Sequence, residues 1–325
     1  MIDVLGIGNA LVDVLSHETD EFVAKMDLNR GAMTLIDEDR AHELYDAMGP
    51  GVEISGGSAA NTIVGLANFG ATAAYVGKVR DDQLGTVFAH DIRSTGVIFQ
   101  SPAAADGPST GRCLIVVTPD AQRTMNTYLG ASAYLGPEDV DVELVSQARV
   151  VYLEGYLWDR PEAKEAYRKA ARIAHEAGNE VSLTLSDSFC VDRHRPEWLA
   201  LVEEEVDILF ANEAEICALY ECDFETAKER VTRHCNVAAL TRSAEGSLVI
   251  GGGQTHVVSA HPVDRLVDTT GAGDLYASGF LYGYTSGYGL DTCGRLGSLA
   301  ASEVISHLGA RPEADLSVLA KPLLG

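Results

Sequence analysis

A glycine-led turn that ends in an acid and opens an apolar helix is a place where an anion can sit beside a base. Residues 267–274 read VDTTGAGD and are followed by LYASGFLYGY. The glycines permit a tight turn whose backbone N–H groups point inward, and residues 275–284 have the small and apolar side chains of a buried helix. Amides converging on a helix N-terminus, with the helix dipole behind them, make an anion hole; here they belong to Gly271, Ala272 and Gly273. Asp274 stands where a base would be needed, although an aspartate in an isolated GxGD is more often a plain helix cap.

Two further clusters are weaker alone. Ser55-Gly56-Gly57-Ser58-Ala59-Ala60-Asn61 again puts glycines before a helix, and Asn61 offers a donor and an acceptor to the same cleft. Asn212-Glu213-Ala214-Glu215 follows the apolar run VDILF, at the carboxyl end of a strand, where open α/β sheets bind ligands; an ordinary helix start with acidic first-turn residues explains it as well. Other chemistries fail on spacing. Gly6-Ile7-Gly8 would need a third glycine at Leu11 for a dinucleotide fingerprint, and no GxxxxGK[ST] or HExxH occurs. Ser186-Asp187-Ser188 lacks the glycines of a nucleophile elbow and reads as strand-end structure.

The elements that must position these residues alternate. Strand-like runs at 148–153, 181–185, 206–210, 237–241 and 247–250 are separated by helical stretches at 161–177, around 195–205 and at 213–220. That rhythm predicts an α/β fold with a mostly parallel sheet covered on both faces. The stretch 59–69 reads as a tightly packed helix, and two segments break the pattern. Residues 12–36 begin and end strand-like, and residues 110–129 read as two strands joined at Pro119-Asp120-Ala121-Gln122. They predict a small β lid, from about 12–37 and 98–130, that excludes water from a group-transfer site within one domain spanning 1–325.

With 24 basic against 48 acidic residues among 325, the formal charge is −24. Such a surface repels phosphate backbones and anionic membranes, so neither nucleic acid nor membrane is expected as a partner. No apolar run reaches the 18 or so residues of a membrane helix. The six scattered cysteines without a CxxC pair read as reduced thiols of a cytoplasmic protein.

With DTTGAGD, GGSAAN and NEAE in this order, the chain resembles the ribokinase-like carbohydrate kinase family nearly end to end. The resemblance implies a three-layer sandwich with a β lid, ATP and Mg²⁺ as cosubstrate and cofactor, and a small-molecule nucleoside or sugar as acceptor. It places Asp274 as the catalytic base, with Gly271, Ala272 and Gly273 as the anion hole. Gly56, Gly57 and Asn61 become sugar contacts, and Asp13, with Asn9 in the same GNALVD segment, grips two ribose hydroxyls. Asn212 and Glu215 organise magnesium and phosphates, Glu215 through water. The nucleotide segment Thr241-Arg242-Ser243-Ala244-Glu245-Gly246 has Ser243 where the family pattern TxGxxG has glycine, and Ser298 stands where some members carry a base-stacking histidine. A monovalent cation such as K⁺ is implied beside the anion hole, at Asp268, Thr270, Val304 and Gly309.

Within the family, the first 50 residues look most like adenosine kinases, and Arg123 matches a lid arginine used on the transferring phosphate. The expectation is therefore phosphorylation of a nucleoside 5′-hydroxyl, adenosine foremost, by a monomer or homodimer. For the base, an ordinary aspartate pKa near 4 suffices. The alternatives are a ribokinase- or fructokinase-like sugar kinase and, outside catalysis, a nucleoside-binding regulatory protein.

Overall fold

Apolar side chains alternate along the central strands and fill both faces of one sheet. In Ile2–Ile7 (β1), Val4 packs to one side and Leu5 and Ile7 to the other; in Ala148–Glu154 (β9), Val150 and Tyr152 oppose Val151 and Leu153. A strand apolar on both faces must be covered on both faces, which requires helices above and below. The computed structural model, which describes residues 1–120 and 122–324, has that arrangement.

The other strands of this sheet are Ala73–Val76 (β5), Ile98–Phe99 (β6), Glu180–Thr184 (β10), Ile208–Asn212 (β11), Val237–Thr241 (β12), Ser247–Gly251 (β13) and Gln254–Val258 (β14). Their order is β14-β13-β12-β11-β10-β9-β1-β5-β6, parallel from β12 to β6, with β13 and β14 added antiparallel. The strand order reverses between β1 and β9, so the crevice at their carboxyl ends is the place for a ligand. Helices Pro161–Glu176, Ser188–Glu205, Glu213–Tyr220 and Phe224–Val231 supply one apolar layer; Ser58–Asn68, Gln83–Ser94, Ala272–Thr285 and Leu290–Val304 supply the other. This is the expected three-layer α/β sandwich. No helix of the described residues is long and apolar enough to cross a membrane.

A second sheet of five strands packs against the layer that holds Ser58–Asn68 and Gln83–Ser94. It comprises Leu11–His17 (β2), Met33–Leu35 (β3), Gly51–Gly56 (β4), Gly111–Val117 (β7) and Arg123–Tyr128 (β8), in the order β3-β8-β7-β2-β4. Its membership differs from the expected lid segments. β4 lies beyond residue 37 yet pairs antiparallel with β2, whereas β6 pairs with β5, where Phe99 packs on Tyr75 and Phe88. In the expected turn at 119–122, Ala121 lies outside the described residues.

Two other expectations shift. The helix expected from about 195 starts at Ser188, capped by Asp187, and non-helical backbone at His194 before Pro196 hides the join. The strand expected at 206–210 runs 208–212, which brings Asn212 to its very end.

Candidate active site

Two helices start at the same point in the crevice, and neither start is capped by its own side chain. Gly57 precedes Ser58–Asn68 with φ 102°, and Gly271 precedes Ala272–Thr285 with φ 77°, both conformations natural to glycine. Asp274, in the first turn of the second helix, faces the first turn of the first. Ser58 Oγ donates to Asp274 Oδ1 at 2.6 Å and Asn61 Nδ2 donates to Oδ2 at 3.1 Å. Burial pushes the Asp274 carboxyl up to about 6, against the pull of these two hydrogen bonds and the positive charge of Arg311. The ordinary value near 4 expected for the base is thus corrected, because the acid lies deep between the two helix starts. Asn61 Oδ1 is buried with no hydrogen-bond partner, an acceptor left for something else.

The space around the glycines differs between the turns. A Cβ on Gly56 would overlap the carboxylate of Asp13, and one on Gly57 would overlap the carbonyl oxygen of Asn9. A Cβ on Gly271 would come 2.7 Å from that of Ala310, whereas one on Gly273 would meet nothing within 4 Å. The first turn is sealed by its own chain; the second is open at Gly273.

Asp13 reaches the crevice from β2. Burial is again the largest influence and raises its pKa to about 6, opposed by Arg311 and Arg123 and reinforced by Asp274. The register places Asp13 in a row with Cys113, Thr127 and Leu35 on one side and Ile54 on the other. The next row on that face is Val52, Leu15, Ile115, Met125 and Met33, followed by His17, Val117 and Arg123. Paired residues point to the same face, so beside Asp13, Arg123, Thr127 and His17 that sheet face is apolar.

Arg123 extends from that face to Asp268, and both side chains are buried, at 7% and 8% exposure. Asp268 also accepts from Thr270 N at 3.0 Å, Thr270 Oγ1 at 2.7 Å and Gly309 N at 3.1 Å. Burial opposes its ionisation, but these donors and Arg123 outweigh it and lower its pKa. The role on a phosphate expected of Arg123 is not the contact it makes in this structure, where its guanidinium is paired with Asp268. Nor does the arrangement fit a monovalent cation on Asp268: four chain donors use both oxygens, and Gly309 presents its N–H. Val304 closes helix Leu290–Val304 and is buried.

Asn9, expected to touch substrate, is used internally. Its Nδ2 donates to Glu154 Oε1 at 2.7 Å, and its Oδ1 accepts from Ser132 Oγ at 2.9 Å. Glu154, at the end of β9 and 1% exposed, also accepts from Ala59 N at 2.7 Å, which ties the β1–β9 switch point to the first helix start.

On the far side of the crevice, Asn212 and Glu215 form a reciprocal cap. Asn212 Oδ1 accepts from Glu215 N at 2.9 Å, while Glu215 accepts from Asn212 N at 2.9 Å and Nδ2 at 2.6 Å. Burial raises Glu215 to about 7. Thr241 ends β12, and Arg242 is ion-paired with Glu213 and Glu245, each at 2.9 Å. Ser243 has φ 51° and Gly246 φ 87°, so the serine adopts the left-handed shape of the glycine it replaces. Ser298 Oγ accepts from His261 N at 2.7 Å and donates to Ser259 O at 3.2 Å, a brace between helix and loop.

The sequence pattern of the pfkB family carbohydrate kinases matches residues 20–315. The chain belongs to that family. It is a phosphotransferase with an alcohol group as acceptor, a sugar or nucleoside kinase. It is 54% identical to the adenosine kinase of Sinorhizobium meliloti, with a TM-score of 0.90 and 99% of each chain covered. A probable sugar kinase of Rhizobium etli is 52% identical, with a TM-score of 0.91 over 99% of this chain and 98% of that one. Among curated relatives, the 5-dehydro-2-deoxygluconokinase of Shouchella clausii is 28% identical over 94% of this chain and 90% of its own.

Three residues of this kinase site escaped the sequence reading. Ser58 lay inside a motif chosen for its glycines and asparagine. Glu154 had a usable signal, since a carboxylate ending a buried parallel strand points to the ligand crevice. Arg311, in the loop after the last long helix, had none.

Proposed function

We propose that this kinase transfers the γ-phosphoryl of ATP to the 5′-hydroxyl of a nucleoside, adenosine foremost. The observation that carries the acceptor class is the face of the small sheet. Asp13 sits in a field of Leu35, Ile54, Ile115, Met125 and Leu15, so a polar grip for hydroxyls adjoins an apolar surface. A ribose with a base attached matches that pairing.

Asp13 accepts from the ribose hydroxyls, and the unpartnered Asn61 Oδ1 accepts from another. Gly56 and Gly57 keep Asp13 and Asn9 close beneath the sugar. Asp274, held by Ser58 and Asn61, takes the proton of the 5′-hydroxyl as that oxygen attacks. A base with a pKa near 6 is largely ionised at neutral pH yet basic enough to receive the proton. The amides at 271–273 stabilise charge on the transferring group, and the open space at Gly273 admits it. Arg123 leaves Asp268 to join them.

Among the described residues, no three acidic, histidine or cysteine side chains converge on a metal position. That fits a magnesium ion held chiefly by phosphates and water, with Asn212-capped Glu215 orienting the water. When bound, the ion supplies charge neutralisation between the phosphates. No step is assigned to a monovalent cation. The six unpaired cysteines support a cytoplasmic enzyme.

The test is ATP consumption with adenosine, inosine, guanosine, 2′-deoxyadenosine, ribose, fructose and 5-dehydro-2-deoxygluconate side by side. Adenosine should lead in kcat/KM, with 2′-deoxyadenosine poorer because Asp13 loses a partner. A sugar or sugar acid outperforming every nucleoside overturns the acceptor assignment and spares the kinase.

A further inference from the structure

Arg311 is a cation inside an acidic site, and among the described residues it forms no direct ion pair. Its Nη2 donates to Ser55 O at 2.6 Å and Ser55 Oγ at 3.0 Å, and its Nη1 to Ala60 O at 3.3 Å. Its Nε is buried without a partner. A guanidinium enclosed by neutral oxygens retains its full charge, which must be balanced by acids further away. Those facing it are Asp13 from β2, Asp91 from helix Gln83–Ser94 and Asp274, together with the phenol of Tyr75 from β5.

The neighbouring backbone belongs to the same device. Gly309 N donates to Asp268, Ala310 lies against Gly271, and Arg311 bridges Ser55 to the first turn of helix Ser58–Asn68. One three-residue segment thus touches the anion turn and the substrate turn together. Ser55 Oγ and N both donate to Asp91, at 2.5 and 2.8 Å, which fixes Ser55 under the guanidinium.

We propose that Arg311 is a positioning residue of this kinase: it clamps the substrate turn to the base-bearing turn and supplies the positive charge that faces both Asp13 and Asp274. The inference rests on Asp274 being the base. The other groups facing Asp274 are Ser58 and Asn61, and Tyr152, Glu154 and Tyr156 from β9 and the turn after it; Asp13 also faces Arg123, Cys113 and Asp274. Among all of these, Arg311 is the one cation that faces both acids.

The test is the pH dependence of kcat/KM for three variants. Removing the cation in Arg311→Met raises the pKa of both acids, so the acid limb should move to higher pH by about one to two units. Arg311→Lys restores the charge without the planar fork; the limb should return near its original position while KM stays raised. Asp91→Asn removes a competing negative charge facing Arg311, and should move the limb the other way by a few tenths of a unit. A Met variant that melts cooperatively with an unmoved limb overturns the proposal. Should that variant fail to fold, an unmoved or upward-shifted limb in Asp91→Asn overturns it. Normal turnover by Asp274→Asn would overturn the base assignment instead. An inactive Asp274→Asn beside an unmoved Arg311→Met profile overturns only the role of Arg311.

Discussion

Gly56-Gly57-Ser58 and Gly271-Ala272-Gly273 look interchangeable on paper, since each opens a helix that no side chain caps. They differ in what occupies the space beside them. At the first turn the chain itself closes in, with Asp13 against Gly56 and Asn9 against Gly57; at the second, Gly273 borders open space. Glycine therefore serves two purposes in this kinase. In one turn it lets protein approach protein and aims a carboxylate at the sugar. In the other it leaves room for a transferring phosphoryl group. The same substitution should accordingly damage folding at one turn and chemistry at the other.

The largest effect tests the acid the two turns share. Asp274→Asn keeps the size and can still bond Ser58 and Asn61, but it cannot take a proton. Turnover should fall by roughly 10²–10⁴, with nucleoside binding by calorimetry nearly intact. Near-normal kcat would return Asp274 to the role of a helix cap and empty the comparison of its chemistry.

The two turns can then be broken separately. Gly57→Ala forces a Cβ into the Asn9 carbonyl at a positive φ, so a loss of roughly 2–4 kcal/mol in stability is expected, in the range of severe core substitutions. A Cβ on Gly273 meets nothing within 4 Å, so for Gly273→Val the melting temperature should stay near wild type while kcat falls about 10²-fold or more, the size of a lost oxyanion donor. If both variants melt normally, or if Gly273→Val turns over normally, the distinction drawn from the space beside the glycines is wrong.

Much of this was legible in the sequence because it is local. A glycine turn, a helix start and an apolar strand each announce themselves within a dozen residues, and three such signals in order led to the family and the sandwich. What was missed is held together across the chain. Arg123 meets Asp268 from 145 residues away, and Arg311 reaches Ser55 from 256. Neither pairing has a periodicity to read. Likewise β4 carries Val52, Glu53 and Ile54 between two glycines, and only its pairing with β2 makes it a strand of the lid. Asn9 shows the opposite case: its motif was visible, but Glu154 and Ser132, which hold its side chain, were not.

A smaller effect separates the needs of the fold from those of the reaction. Burial raises Asp13 and Asp274 to about 6 and Glu154 and Glu215 to about 7, all above the unfolded value near 4. Between pH 4 and 7 the folded state thus holds protons that the unfolded chain has released. The contribution of these groups to stability is greatest at the acid end of that window and declines as pH rises through it. Catalysis needs Asp274 ionised and so runs the other way. From pH 8 to 5.5 the melting temperature should hold or rise while kcat falls; a melting temperature that drops in step with kcat would show that these acids are not protonated in the fold. Asp268, lowered instead, loses its contribution only below the window.

The smallest effect concerns a third turn, where serine does the work of glycine. Ser243 has φ 51° between Arg242 and Gly246, in the turn joining β12 to β13. For a residue with a Cβ that conformation costs on the order of 1 kcal/mol, and the hairpin on either side holds it in place. Ser243→Gly removes the strain but makes the unfolded chain freer, so the two changes partly cancel. A net gain of at most about 1 kcal/mol is expected, a melting shift on the order of 1–2 °C. Because the backbone already has the glycine shape, KM for ATP should stay within about twofold, less than 0.5 kcal/mol. A several-fold drop in KM would mean that the serine side chain obstructs the nucleotide. That turn would then join Gly273, where the space beside the backbone matters more than its shape.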